Sequence, residues 1–387
     1  MTQILELSIG SLGRDWQSSD GSAERMHLDL GPDHPSRTGL LLARLEADDG
    51  VVTQARIQPG FNHRSAEKLF EVRDYRQVLM LADRHDWHSP FTGELGAAMV
   101  CEQLMGLVPP RRAVWLRTLL AEQARIASHL SHLSFVAHHT NDEPLAQRIR
   151  SLRERGRELV LEASGNRVHP MLNRLGGLAT DLDNTLVEGI REWAAASTDC
   201  ADDIARCVTD HELGRAMATT NRSLCEDHGL SGPVARACGL DWDLRRRNPH
   251  LAYADLQEIL AQGNAAEFHD GDAFSRFLAL TGEIATSFRL IDAIAGQLPS
   301  IDGPIDTKLS KIIKLPEAEA YLALEAPWGM AGFWLVSRAD RTPWRLKLRT
   351  PSFANVQALQ VALQGCALTD LAVAFASLGW TSGDLDK

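Results

Sequence analysis

The spacing of apolar positions changes once near the start of the chain. Short alternating runs occupy Met26–Leu30 and Leu40–Ala47, and Asp48-Asp49-Gly50 supplies a turn, so residues 26 to 57 predict a small antiparallel sheet. After Pro59-Gly60 the apolar residues recur at intervals of three and four, which predicts helices over 65–81, 91–106 and 111–138, the last two punctuated by Pro109-Pro110. The third is long enough to be central and sets Trp115, Leu119, Ile126, Leu130 and Leu133 on overlapping faces. Residues 144–165 predict a charged helix whose Arg148, Arg150, Arg153, Glu154, Arg155, Arg157 and Glu158 suit a solvated or subunit-facing surface. Further bundle helices are predicted over 182–208 and 273–297, with the turn-rich stretch 209–272 between them. Arg345–Arg349 reads as a strand, and 353–366 and 368–379 as helices. The first 22 residues, enriched in Ser, Gly and Asp, read as a flexible lead-in. The expected organisation is a lead-in over 1–22, a small sheet region over 23–60 and a helical domain over 61–387: an α+β, mainly α fold with a helical-bundle core.

Composition narrows the function classes. The 387 residues carry a formal net charge of −11, with 44% hydrophobic and 24% charged positions, ordinary for a soluble globular protein and opposed to a general nucleic-acid binder. No segment reaches the roughly 18 to 20 continuous apolar residues that span a bilayer. The opening Met1-Thr2-Gln3-Ile4-Leu5-Glu6 lacks a secretory pattern, so a cytoplasmic chain that can dock on a membrane complex is expected. The six cysteines include no C-x-x-C pair, which argues against a thiolate-held metal and for reduced, mostly buried thiols.

Several segments carry candidate chemistry. Gly31-Pro32-Asp33-His34-Pro35-Ser36-Arg37-Thr38-Gly39 packs two prolines, two glycines and a histidine between strand-like runs, the makings of a rigid loop that either presents polar groups to a ligand or merely turns the chain. His63, Arg64, Glu67 and Lys68 form a charged run at a helix entrance, which can be a plain ion-pair group. Glu122 and His129, seven apart, share a helix face and read as a buried pair or a proton path. Arg345, Lys347 and Arg349 share a strand face suited to an anionic or subunit contact, or to a guarded solvated edge.

From about residue 26 onward the chain resembles the D-type subunit family of the proton-pumping NADH–quinone oxidoreductase, respiratory complex I. The resemblance rests on G-P-D-H-P at 31–35, H-R-S-A-E-K-L at 63–69, Y-R-Q at 75–77, D-R-H-D-W at 83–87, A-E-Q-A-R-I-A-S-H-L at 121–130, R-L-K-L-R-T-P-S-F-A-N-V-Q-A-L at 345–359 and G-D-L-D-K at 383–387. It implies a fold shared with the large subunit of [NiFe] hydrogenases. Arg84–His88 and Gly383–Lys387 stand without cysteine where that site needs thiolate pairs, so nickel chemistry is excluded. The resemblance implies a peripheral-arm subunit on the cytoplasmic side of the membrane, packed against the B-type iron–sulfur subunit, the C-type subunit and the H-type membrane subunit. It would hold no cofactor of its own; NAD, FMN and iron–sulfur clusters would sit in partner subunits, and quinone would be the substrate, with this chain forming one wall of its cavity.

On these motifs His34, Thr38 and Trp87 fall at quinone-binding positions, and His63 and Arg64 near the partner's cluster. Family members place a histidine and a tyrosine where this chain has Thr38 and Trp87, neither of which titrates near neutral pH. His88, beside Trp87, and His139, found by an ungapped count from His129 at the position of a family carboxylate, are the candidate proton-transfer residues; His85 and His138 stand next to them. The altered positions also motivate two competing readings: a non-catalytic structural or regulatory paralogue, and a component of another energy-converting oxidoreductase.

Overall fold

The computed structural model describes residues 2–11, 23–263 and 268–387. Its N-terminal sheet holds β1 (Gln3–Ile9), β2 (Glu24–Leu28), β3 (Leu41–Asp48) and β4 (Val51–Gln58), in the order β2-β1-β3-β4. The β3–β4 hairpin turns at Asp49 and Gly50, both with positive φ, as the sequence predicts. Two expectations are corrected. Residues 3–9 are no loose lead-in but a central strand, because Leu5, Leu7 and Ile9 alternate and are fully buried; the polar composition of 12–22 masks that alternation, and those residues lie outside the described ones. The sheet is mixed rather than antiparallel, since β1 runs parallel to β2 and antiparallel to β3.

The predicted helix over 65–81 is two helices, α1 (Ala66–Phe70) and α2 (Tyr75–Ala82), because Asp74 and Gln77 form a capping box that starts the second. Then come α3 (Pro90–Met105), α4 (Arg111–His139) and α5 (Glu143–Ser164), each within a few residues of expectation. A two-stranded ribbon, β5 (Asn173–Arg174) and β6 (Gly177–Leu178), leads to α6 (Asn184–Asp210). The turn-rich stretch carries short helices α7 (Arg222–His228), α8 (Gly232–Ala237), α9 (Leu244–Arg247) and α10 (Gln257–Ala261) before α11 (Ala273–Gln297).

Helix α4 is buried along most of its length and packs on α5, α6 and α11, which makes it the axis of the bundle. A second sheet, β7 (Ala318–Ala326), β8 (Gly329–Ser337) and β9 (Arg345–Arg349), packs on α3. Only β9 is legible beforehand. The long hairpin β7–β8 mixes Ala, Gly and Leu and is buried on both faces in places, so it shows no clean alternation. The chain closes with α12 (Pro351–Ala362), α13 (Leu371–Ser377) and α14 (Ser382–Leu385). All six cysteines are free, five of them buried, and no helix among the described residues is long and apolar enough to cross a membrane.

Candidate functional site

The Gly31–Gly39 loop is held from within and from two sides. Pro35–Thr38 forms a 3-10 turn capped by His34, whose Nδ1 accepts from the Ser36 amide at 3.2 Å. Asp33 accepts from Arg153 of α5 at 2.6 Å. Gly39 packs against the C-terminal segment so closely that a Cβ would lie 2.4 Å from Ser382, which explains a residue without a side chain there. The charged helix is therefore not only a solvated surface, because Arg153 turns inward, donating also to Ser131 Oγ at 2.9 Å.

The D-R-H-D-W segment after α2 is shaped by Asp86. Its Oδ1 accepts from the His88 amide at 3.1 Å, the Ser89 amide at 3.3 Å and Thr381 Oγ1 at 3.1 Å. Burial, with the Asp384 carboxylate next to it, raises the Asp86 pKa. Trp87 donates its indole N–H to the Arg84 carbonyl at 2.8 Å, so it offers a ligand its ring rather than its donor. Gly383 lies under that ring: a Cβ there would be 3.0 Å from the Trp87 side chain.

Trp87 and His88 line a cavity enclosing about 810 Å³, its open mouth included, between α3, α4, α5 and the 167–172 loop. Its walls are mostly apolar, with Phe91, Leu120, Ala124 and Val160 among them, and Arg153, Arg157 and Arg167 add positive charge. Gln123 faces the same space, and its buried amide nitrogen has no hydrogen-bond partner among the described residues. Burial, then Arg153, Arg157 and His132, lower the His88 pKa to about 3, so this ring is neutral at physiological pH.

The predicted residues do not all meet. His34 is buried behind the loop with its ring centroid 4.7 Å from that of His132, and does not line the cavity. Thr38 is exposed and donates to the Pro35 carbonyl at 3.2 Å. His139 is exposed at the end of α4, stacked on Phe135 at 5.1 Å and outside the Trp87 cavity. His63 and Arg64 belong to the opposite side of the D-R-H-D-W segment. There Arg64 donates to the Arg84 carbonyl at 3.0 Å and lines a separate cleft with Asn62, Arg84, Met171 and Lys387. His63 Nδ1 lies 2.7 Å from the Lys387 backbone oxygen.

Two expectations about charged pairs change. Glu122 does not pair with His129; it accepts from Arg125 at 3.2 Å, Arg245 at 3.2 Å, Ser287 at 2.6 Å and the Tyr253 hydroxyl, whereas His129 Nε2 meets Glu283 at 3.0 Å. Arg345 offers no free anion site, because Glu67 and Glu71 hold it at 2.7 and 3.0 Å. His132 is absent from the sequence reading, and Gln123 enters it only inside the 121–130 motif, without a role. His132 stands three residues after His129, so helical spacing puts both on one face and could have marked it. Nothing local marks Gln123, whose surroundings come from α3 and α5.

A sheet region wrapped on a helical bundle, with a shaped loop and a tryptophan-lined cavity, defines a class when set beside known proteins. Residues 147–387 match the family model of the respiratory-chain NADH dehydrogenase, 49 kDa subunit. The chain is 40% identical over 391 residues to the NADH-quinone oxidoreductase D 2 subunit of Salinispora arenicola, covering 100% of this chain and 99% of that one. It is 39% identical over 393 residues to the D 1 subunit of Streptomyces coelicolor, covering both chains completely at 100%. The D-type subunit of Anaplasma phagocytophilum is 31% identical over 399 residues, covering 96% of this chain and 99% of that one. The chain belongs to the D-type, 49 kDa subunit family of NADH-quinone oxidoreductase, and so is one component of that respiratory complex, working with its other subunits.

Proposed function

We propose that this chain forms one wall of the quinone cavity of a proton-translocating NADH–quinone oxidoreductase, and that the space beside Trp87 receives the headgroup. The observation that carries the reading is Gln123: a buried amide donor without a partner among the described residues, facing an otherwise largely apolar cavity floored by an aromatic ring. A quinone ring needs an apolar slot, a stacking face and a few donors aimed at its carbonyl oxygens. Trp87 supplies the face, Gln123 donates to one carbonyl, and the neutral His88 imidazole serves the other, passing on its N–H proton as its second nitrogen takes another up. Two electrons and two protons convert quinone to quinol. The electrons come from an iron–sulfur cluster of the B-type partner; NAD and FMN belong to other partners, and this chain alone is inactive. Arg64, on the separate cleft with Arg84 and Lys387, faces that partner with His63 beside it in the chain, and the positive field of the Arg64 guanidinium favours the reduced cluster. The C-type and H-type partners complete the cavity, on the cytoplasmic side of the membrane. His139 and Thr38 are exposed and lie outside this cavity.

The test uses the assembled complex. Trp87→Ala and Gln123→Leu should each raise the quinone KM about tenfold, the effect of losing one stacking or hydrogen-bonding contact. Co-purification of the variant chain with the other subunits reports intact assembly. An unchanged quinone KM in both variants sinks the assignment of this cavity.

A further inference from the structure

Away from the Trp87 cavity, the turn-rich stretch brings two cysteines together. Cys225 stands in α7 and Cys238 directly follows α8, and their sulfurs are 3.6 Å apart. Cys225 is buried, whereas Cys238 is partly exposed. Two thiols in contact, one of them open to solvent, can be a packed apolar pair or a pair built to react. Their surroundings decide between the two.

Arg276 of α11 lies beside them, fully buried. It donates to the Gly271 carbonyl and to Ser377 Oγ, both at 2.7 Å, and all its partners among the described residues are neutral. Asp272, the acid nearest in sequence, spends its carboxylate on the Ser275 and Ala216 amides at 2.8 Å each. A buried cation without a paired anion is unfavourable, and burial lowers the Arg276 pKa to about 10. A thiolate at Cys238 supplies the missing anion. As a thiol, Cys238 can donate to the Thr220 and Val234 carbonyls at 3.3 and 3.4 Å. As a thiolate, it accepts from the Cys225 thiol and from the Thr220 hydroxyl at 3.0 Å, and that hydroxyl itself accepts from Arg276 at 3.4 Å. The Arg276 charge tips the balance toward the thiolate. The hydrogen bond from Cys225, then Thr220 and Arg276, hold Cys238 below the usual thiol range against the effect of burial, while that same hydrogen bond and burial hold Cys225 above it. Cys101 and Cys200 have no such setting, and burial raises both.

We propose that Cys238 and Cys225 form a reversible oxidation site, which a hydroperoxide converts to a disulfide with Cys238 reacting first and Cys225 resolving. The Cys238 thiolate attacks one peroxide oxygen; the O–O bond breaks, and the leaving oxygen takes a proton from solvent. Cys238 is then a neutral sulfenic acid, so the charge that held the Cys225 proton is gone. The Cys225 sulfur attacks that of Cys238, the S–O bond breaks, and the hydroxyl leaves as water with the Cys225 proton. The two thiols lose two electrons and the hydroperoxide gains them. The sulfurs must close from 3.6 Å to about 2.0 Å, a movement within two short helices. Between the two cysteines lies Ser231, whose hydroxyl accepts from the Met330 amide at 2.9 Å. The disulfide therefore stiffens the segment that seats the β7–β8 turn.

The test treats the assembled complex, reduced and freed of reductant, with hydrogen peroxide, then denatures it, alkylates the remaining thiols and reads the peptides by mass spectrometry. A Cys225–Cys238 linked peptide should form about tenfold faster than any oxidation of Cys101 or Cys200, and dithiothreitol should remove it. Cys225→Ser should leave a sulfenic acid at Cys238 that dimedone captures, whereas Cys238→Ser should leave Cys225 unlabelled. No linked peptide, or oxidation of Cys238 no faster than that of Cys101, overturns the site. Should neither variant assemble, the parent complex decides through the pH dependence of Cys238 alkylation. A midpoint below that of a free thiol, about 8.5, supports the proposal, and one at or above it overturns it.

Discussion

The two halves of α4 bury polar groups in opposite ways. Around Glu122 and Arg125 the charges are saturated: Arg125 donates to the Ala326 and Glu325 carbonyls at 3.1 and 2.7 Å, Arg245 joins Glu122 to Asp243, and Arg236 joins Glu283 to Glu325. Burial pushes the Glu122 pKa up, but Arg125 and Arg245 outweigh it and the carboxyl ends below its usual range. One or two turns later burial lowers the pKa of both His129 and His132, and His129 Nδ1 and both His132 ring nitrogens make no well-formed hydrogen bond among the described residues. A saturated network resists change because every atom has a reason to stay. The same helix thus carries a saturated ion network and, beginning with Gln123 beside it, polar groups that the described residues leave without partners.

Breaking the anchor should have the largest effect. Arg245→Met leaves Glu122 and Asp243 short of a partner and should destabilise the chain by about 3–5 kcal/mol, read by denaturant unfolding. His132→Phe should leave stability within about 1.5 kcal/mol of the parent, since volume is nearly kept, which separates the two halves directly.

Acid sharpens the contrast further. Burial and His129 lower the His132 pKa to about 3, as burial and Arg153 do for His88. Above pH 6.5 both rings are neutral folded or unfolded, so their contribution is fully present. As pH falls from about 6.5 toward about 3, the unfolded chain takes protons that the folded chain refuses, and stability is lost by up to about 1.4 kcal/mol per pH unit for each ring. His132→Phe should flatten this part of the stability profile, whereas an unchanged slope would mean that His132 already carries its proton in the fold. The smallest effect belongs to His139→Ala, exposed and outside the cavity: stability within about 0.5 kcal/mol and quinone turnover within about twofold.

The bundle is legible in the sequence because 3.6-residue periodicity is local. Helix α4 is expected over 111–138 and spans Arg111–His139. Strand β1 is illegible because its seven alternating residues are averaged into a polar composition, and β7 and β8 are illegible because burial on both faces erases alternation. At the site, the motifs locate the loop and the D-R-H-D-W turn. They could not show that Trp87 spends its N–H on Arg84, or that His139 lies outside the space His88 lines, since both depend on how the turn and the helix end meet their neighbours. The setting of Gln123 becomes visible only once α3 and α5 are in place around α4, and that of His132 only once the β7–β8 turn brings Trp328 against it.

Arg153 couples two properties of the site that are usually independent. It ties Asp33 to α5, and so fixes the position of the loop, while its charge helps keep His34 and His88 from taking protons. Any motion that draws the loop away from α5 therefore also moves that cation relative to the imidazoles. The shape of the loop and the basicity of the rings behind it change together, and a partner pressing on the exposed side of α5 would alter the proton affinity of the cavity without touching a histidine.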